Sequence, residues 1–556
     1  MGLFKAALLS ALLYLFPLTS IEKEQISYLL KAKEFVKAFT LYDAYQKEYG
    51  AHDFDVLLEL GITLLKMGAE SQELNSQLSA LYGLQASQIT HSVEIIEETL
   101  HSPHLETQVA ALSLLAKLSH DRGDELLARS VTSSYPVIAL ESAYLLAHKK
   151  HPKSSAYLEA LMHKFPPEFS AYFPPLFAMT SSKDALKNLK QLMHSPLIHT
   201  RIEAILAVAN YQLEDFIPFI RNYLTHTDLK ELEASTLALA LLKDSHSLPK
   251  IQKLALSSSS SLKLTALYAL YLLGDFNALT PIEKLAQEGD LFAITLLGEL
   301  PSHPLVLQEL LSHPSIHVRF NATLSLLLQK DPTCLKTLPE FLFHQSQDLG
   351  FFPLASPGKA LRSWKVIPSV SQQETNYALF VKESSYSLRQ EMLMHTLELE
   401  ERDFLLIASQ IFENQQVELI PLLCHLLENH KTEGCINLLK KYAALGELPF
   451  IRMCCHLALF RLKEEGPYDT RLKEWIHETC HIDMVGFRPS LPKMKGISPS
   501  SYELTPHENA ALLMQSYEAI AKRHTHEGID LLLEGIRHGH PHNRYVLAGL
   551  LLHAIQ

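Results

Sequence analysis

The chain has 556 residues, 47% of them hydrophobic and 20% charged, with a formal net charge of −12. It is too long for one hydrophobic core, which stops growing at roughly 250–300 residues, and too apolar for disorder. Its acidity excludes a phosphate-binding surface spread along the chain: that needs clustered Lys and Arg, and the densest runs are only His148-Lys149-Lys150 and Lys440-Lys441. No nucleic-acid partner is therefore expected.

The first twenty residues stand apart. Met1–Lys5 carries one positive charge, Ala6–Phe16 is apolar except for Ser10, and Pro17–Ser20 ends in a small residue before the charged Ile21-Glu22-Lys23-Glu24. That is the order of a secretory signal peptide, too short to span a bilayer comfortably. Residues 1–20 are expected to be a leader. The mature chain would begin about Ile21, without a transmembrane span, in the periplasm or secreted. An uncleaved leader would leave it cytoplasmic, or membrane-associated through the N-terminus.

Glycine numbers only 20 residues, about half the usual share of roughly 7%. Since glycine serves turns, its scarcity predicts long helices joined by short connections. From residue 86 the chain repeats itself. Leu192–Ala204 and Leu310–Ala322 share proline, Ile-His, arginine and alanine at a constant offset of 118 residues. A third copy, Leu100–Ala111, keeps the eight residues from proline to alanine but has Gln108 in place of arginine. Ala143, Ala171, Ala234, Ala266 and Ala293 take the same role in weaker copies, so that eight alanines recur every 27–33 residues. Proline suits the first helical turn, and the small alanine lets a neighbouring helix approach. Apolar residues then recur at helical spacing, as in Ile202, Ile205, Leu206 and Ala209. A second helix follows, for example Phe216–Leu224. One such hairpin cannot bury its own apolar face, so neighbours must stack.

Residues 86–335 resemble HEAT repeats, in particular the short bacterial kind found in the PBS-lyase type. The Val-Arg-x-x-Ala core of that family is matched by Val318-Arg319 with Ala322, and loosely by Thr200-Arg201 with Ala204. Its Leu-Gly-Asp ending is matched by Leu273-Gly274-Asp275. Ser195 and His313 stand where the family often has the aspartate of an Asp–Arg ladder. The resemblance implies an all-α fold, an α-solenoid of stacked helical hairpins, with Ala111, Ala204, Ala266, Ala322, Arg201 and Arg319 as repeat-packing residues. Upstream, residues 21–85 resemble tetratricopeptide repeats, with Glu34–Tyr42 like the second helix of that unit and Leu60–Gly68 like its first.

Two stretches break the rhythm. Residues 346–373 contain Gly350, Pro353, Pro357-Gly358 and Pro368 together with Phe351, Phe352 and Trp364. They are expected to be an irregular surface insertion whose three aromatics contact a partner. After further HEAT-like hairpins in 374–480, the proline-rich 481–506 reads as a linker to a terminal helical unit, 507–556.

Chemistry-bearing motifs are scarce. No Gly-x-Ser-x-Gly occurs, and Ser356-Pro-Gly-Lys359 lacks the first glycine of a phosphate loop. The six cysteines form no CxxC pair. Arg452 precedes Cys455 as Arg201 precedes Ala204, which makes Cys455 a small core residue and not the nucleophile of a Cys-His pair. Asn321-Ala-Thr323 is a formal glycosylation sequon inside a repeat helix. Among 29 histidines, His524, His526, His538, His540 and His542 crowd the C-terminus; a His-Gly-His-Pro-His turn can offer two metal ligands, but histidine also fills the repeat turns, so no metal or other cofactor is expected. Three His-Glu pairs, beginning at His477, His507 and His526, fall short of the four of the HEAT-repeat di-iron enzyme deoxyhypusine hydroxylase. The expected function is a non-enzymatic scaffold that binds a protein or peptide. The alternative is a metal-dependent or HEAT-type enzyme using the histidine-rich C-terminal portion.

Overall fold

A computed structural model describes residues 19–87, 92–118, 120–301, 304–343, 349–368, 375–485 and 506–556. The leader expectation lies outside them except for Thr19 and Ser20, which open a helix, Thr19–Lys31. The fold is all-α, an α-solenoid of stacked helical hairpins, with a single two-stranded sheet among the described residues. Its described residues divide into two compact units, those within 19–127, 465–485 and 506–556, and those within 128–464.

In the second unit the helices Ile198–Asn210, Leu229–Leu241 and Ser260–Leu272 pack each on the next, and Leu291–Glu299 packs on Ile316–Leu328. Each carries its repeat alanine at the contact: Ala204, Ala234, Ala266, Ala293 and Ala322 are all fully buried. How close the helices come is visible at Gly298, where an added Cβ would stand 2.7 Å from the Cα of Ser325. Ala171 is the exception among the expected alanines. It lies half-buried in a 3-10 turn, Pro167–Tyr172, and the following helix buries Ala178 instead.

The repeat turns explain the scarcity of glycine. Gln212, Lys243, Gly274 and Lys330 all have positive φ, between 53° and 96°. Each follows its helix at the same point of the repeat. The next residue donates its N–H back to the carbonyl five positions earlier, as Leu213 does to Val208 and Asp331 to Leu326. This is the Schellman closure, which usually falls to glycine. Three of these four repeats accept the left-handed strain on a long polar side chain, at about 1 kcal/mol each.

The first unit joins the two ends of the described chain. Residues 507–556, expected as a separate terminal unit, pack against the helices Phe54–Glu70 and Leu74–Ser87 through the last helix, Asn543–Ala554. The main chains touch at Gly83 and Gly549, where a Cβ on Gly549 would run into the Gly83 backbone. Arg537 pairs with Asp43 at 2.5 Å, and Gln46 donates to Asp530 at 3.0 Å. Helical hairpins do fill residues 21–85, which either repeat family would supply.

Candidate interaction surface

The repeat arginines work on the turn before their own helix. Arg201 Nη1 donates to the carbonyls of Ser195 and Pro196 at 2.6 and 3.1 Å. Arg319 repeats this on His313 and Pro314 at 3.0 and 3.2 Å, and Arg452 on Gly446 and Glu447 at 2.7 and 3.2 Å. Gln108 does it with one donor, to Ser102 at 2.7 Å. Pro196 therefore sits in the turn two residues ahead of the helix rather than in its first turn, and its carbonyl becomes a ligand for the arginine. The same geometry at Arg452 extends the register well past residue 335.

The other face of the guanidinium reaches the following repeat. Arg201 Nε pairs with Glu231, whose carboxylate is almost fully buried and also meets His226 Nδ1 at 2.8 Å. Arg319 makes a fork to Glu340, at 2.6 Å from Nη2 and 3.4 Å from Nε. An acid in the next repeat thus replaces the aspartate that the chain lacks at Ser195 and His313. Sequence reading missed this, although the 30-residue separation of Arg201 and Glu231 equals the repeat period.

Of the expected irregular insertion, the described residues 349–368 form an antiparallel hairpin. β1 (Leu349–Ala355) pairs with β2 (Arg362–Pro368), placing Phe351 opposite Val366 and Pro353 opposite Trp364. The expectation of irregular chain is corrected. Alternate residues turn their main-chain groups outward: Phe351 N–H donates to Ser385 Oγ at 2.7 Å, Val366 N–H to His317 Nδ1 at 3.1 Å, and Trp364 N–H to Asn321 Oδ1 at 3.1 Å. Pro353 shares this parity, so its missing N–H takes nothing from the ladder.

Asn321 is the clamp. Its Nδ2 donates to the Trp364 carbonyl at 2.9 Å while its Oδ1 receives the Trp364 N–H and the Ser363 hydroxyl, the latter at 2.8 Å. Ser363 Oγ lies 3.0 Å from Thr295 Oγ1 on the neighbouring helix. The hairpin tip continues along the stack: Gly358 N–H donates to the otherwise buried Glu233 at 2.6 Å, and Lys359 pairs with Glu203. The formal sequon at Asn321 is consequently a fully buried main-chain clamp, closed to a glycan.

Of the three expected partner-binding aromatics, Phe351 needs correction in the same place. Phe351 is fully buried, stacked 4.4 Å from Phe320, which in turn meets Phe341 edge-on at 5.1 Å. It is a core residue of the hairpin and does not project to solvent. Phe352 and Trp364 are half-buried. The large exposed aromatics lie elsewhere, with Tyr172 at 64% and Phe276 at 67% exposure.

Cys455 is buried and its thiol is pushed well above the ordinary value by burial, with Cys424 3.9 Å away. That fits the expected inert core position. The C-terminal histidines divide. His526 stacks on His52 at 5.4 Å and His524 lies 5.6 Å from His553, whereas His540 and His542 meet Asp483. Two of the His-Glu pairs disperse into ordinary ion pairs: His477 meets Glu534 at 3.0 Å, and Glu527 meets Lys473 at 2.7 Å.

No protein-family profile matches the chain, and no curated protein does. Among solved structures, karyopherin Kap121p is similar at 12% identity, over 95% of this chain and 58% of its own, with a TM-score of 0.38. The chain thus spans little more than half the karyopherin's length. Human deoxyhypusine hydroxylase in complex with glycerol is similar at 16% identity, over 44% of this chain and 96% of its own, with a TM-score of 0.21. A homology model of the full-length AP-3 complex is similar at 11% identity over 86% and 94%, with a TM-score of 0.32.

Proposed function

We propose that the chain is a non-enzymatic scaffold of HEAT-like repeats that binds a protein, with extended peptide backbone as the element it grips. The supporting observation is the Asn321 clamp. One side chain satisfies both main-chain groups of Trp364, and His317, one turn earlier on the same helix, takes the N–H two residues along. Side chains four residues apart on a helix thus match alternate residues of a strand. The chain uses this match on its own hairpin, and other stretches of the stack carry exposed aromatics, the usual anchors of interfaces. No helix of the described residues is long and apolar enough to cross a membrane. The leader-like order of Met1–Ser20 supports export; intact-mass analysis of natively produced protein that retains those residues would remove this part.

Cross-linking mass spectrometry on the natively produced chain tests the scaffold reading. It should give one defined protein partner with cross-links in residues 128–464, and Tyr172→Ser or Phe276→Ser should reduce its capture at an unchanged melting temperature. A chain that forms no stoichiometric protein complex counts against a scaffold.

A further inference from the structure

We propose that Asp483, His540 and His542 form a binding site for one divalent ion of the zinc class, a staple between distant segments of the chain. The three side chains each offer a ligand atom, and these atoms all lie within 4.8 Å of one another. His542 Nδ1 is 2.8 Å from Asp483 Oδ2, and His540 Nδ1 is 3.8 Å from Asp483 Oδ1. Around a tetrahedral zinc with bonds of roughly 2.0–2.1 Å, neighbouring ligand atoms stand about 3.3 Å apart. The two observed separations, each to a different oxygen of the Asp483 carboxylate, bracket that value, and with all three ligand atoms inside 4.8 Å side-chain rotation can draw them onto one ion. Two imidazoles and a carboxylate are a donor set for zinc and its transition-metal neighbours rather than for magnesium or calcium, which favour all-oxygen shells.

A second observation concerns the far nitrogen of a ligand. His542 Nε2 lies 3.5 Å from Glu73 Oε2. With Nδ1 on the metal, Nε2 carries the proton and donates it to Glu73, the carboxylate–histidine–metal relay that fixes tautomer and ring orientation. Glu73 comes from a third segment, and its Oε2 itself accepts the Ser76 hydroxyl at 3.2 Å.

The backbone beneath the site is held independently of any ion. Asn543, almost fully buried, donates to the carbonyls of Cys480 and Ile482 at 3.2 and 2.8 Å and accepts the Met484 N–H at 2.9 Å. His540 N–H also donates to the Cys480 carbonyl, at 3.0 Å. These bonds tie 480–484 to 540–543, so the three ligands are preorganised. Asp483 Oδ1 additionally receives the Val485 N–H at 3.2 Å and His540 Nδ1 the His542 N–H at 3.4 Å, both long bonds that an ion would outcompete. The ligands are 22–30% exposed, which leaves the fourth position to water.

The test uses the full chain and Zn²⁺ alone, with a chelator in competition and Co²⁺ as the visible probe. The wild type should bind one Zn²⁺ that survives a chelator of micromolar affinity, raise its Tm on binding, and give d–d bands of a tetrahedral or five-coordinate centre with Co²⁺. Asp483→Asn keeps the shape of the side chain and should weaken binding at least 100-fold, as should His542→Gln. Glu73→Gln, which acts through His542, should weaken it about 10-fold while keeping the stoichiometry and the Co²⁺ bands. Zinc held no tighter by the wild type than by Asp483→Asn overturns the proposal. Uptake that survives all three substitutions also does so, since the ion then sits on other histidines; a wild type that binds none does so without recourse to any variant.

Discussion

Arg201 joins two repeats by bonding the turn carbonyls of its own and the Glu231 carboxylate of the next. Glu231 stands three residues before Ala234, the place that Arg201 holds before Ala204. Opposite charges thus occupy one repeat position in successive copies. Removing the arginine leaves a buried carboxylate beside His226 Nδ1. Arg201→Ala should cost about 3 kcal/mol, the lower end for breaking a buried pair. Arg201→Ala with Glu231→Ala should cost less than the sum of the two single changes. Solenoid repeats can open locally, so hydrogen exchange over 195–245 is the appropriate measurement; protection unchanged by Arg201→Ala would show that the pair contributes nothing.

Asn321→Ala takes away the side chain that meets both main-chain groups of Trp364. The helix keeps its alanine contacts, while the hairpin loses its clamp and two outward-facing main-chain groups lose their partner. A loss of about 1–3 kcal/mol is expected for such groups, confined to the hairpin. Limited proteolysis should then cut within 349–368 while the flanking repeats stay intact. Equal resistance in both proteins would mean that Phe351 packing alone holds the strands.

Much of this architecture was legible beforehand, and the failures are physical. Arg201, Arg319, Ala204 and Ala322 announced the hairpin register because each has a local job that recurs from copy to copy, on a turn six residues back or on an adjacent helix, whereas the acids that the two arginines reach in the next repeat carry no such mark. The hairpin was invisible because its stabilising partners, Asn321, His317 and Ser385, lie 34–49 residues from the strand residues they bind. Its alternation was also masked by Pro353, harmless only because of its outward parity. Phe351 was misjudged for the same reason: an aromatic outside helical periodicity looks exposed until the surface that covers it is known. Asp483 escaped notice as the third neighbour of His540 and His542, since it is separated from them by more than fifty residues of sequence.

His317 gives the hairpin a pH dependence. Burial, with the nearby Lys365 charge adding to it, lowers its pKa below the ordinary imidazole value near 6.5, and its Nδ1 accepts the Val366 N–H. The unfolded chain therefore binds the proton more readily than the folded one. Stability from this group is present above the unfolded pKa, near 6.5, and is lost as pH falls below it toward the depressed folded value. Protection factors of the amides in 349–368, referred to the intrinsic exchange rate at each pH, should fall between pH 7 and pH 5. His317→Gln, which cannot titrate, should flatten that dependence; an equally steep response in the variant would assign it to another group.

Ala322→Leu would force a branched side chain into a fully buried helix contact. Overpacking of this kind costs about 1–3 kcal/mol, and the loss should appear in the helices Leu291–Glu299 and Ile316–Leu328 together. Unchanged exchange over 291–340 would show that this alanine is not at the contact.

Gly549 offers a case in which two effects oppose each other. In an open helix, glycine to alanine stabilises by about 0.8–1 kcal/mol. Gly123 meets that condition, since an added Cβ finds its nearest neighbour at an ordinary 3.6 Å. At Gly549 the same methyl collides with the backbone of Gly83, 466 residues earlier in the chain, and backbone cannot swing aside as a side-chain tip can. The helix Asn543–Ala554 would have to move off Leu74–Ser87, taking with it the contact between Leu552 and Gly61. Overpacking at roughly 1–3 kcal/mol or more exceeds the gain in propensity, so Gly549→Ala should destabilise where Gly123→Ala stabilises. Thermal denaturation gives the sign of each change, and hydrogen exchange gives its place: protection should fall at both ends of the chain together, over 74–87 and over 543–554. A stabilised Gly549→Ala protein, or protection lost at one end alone, would show that the two helices do not meet through their glycines.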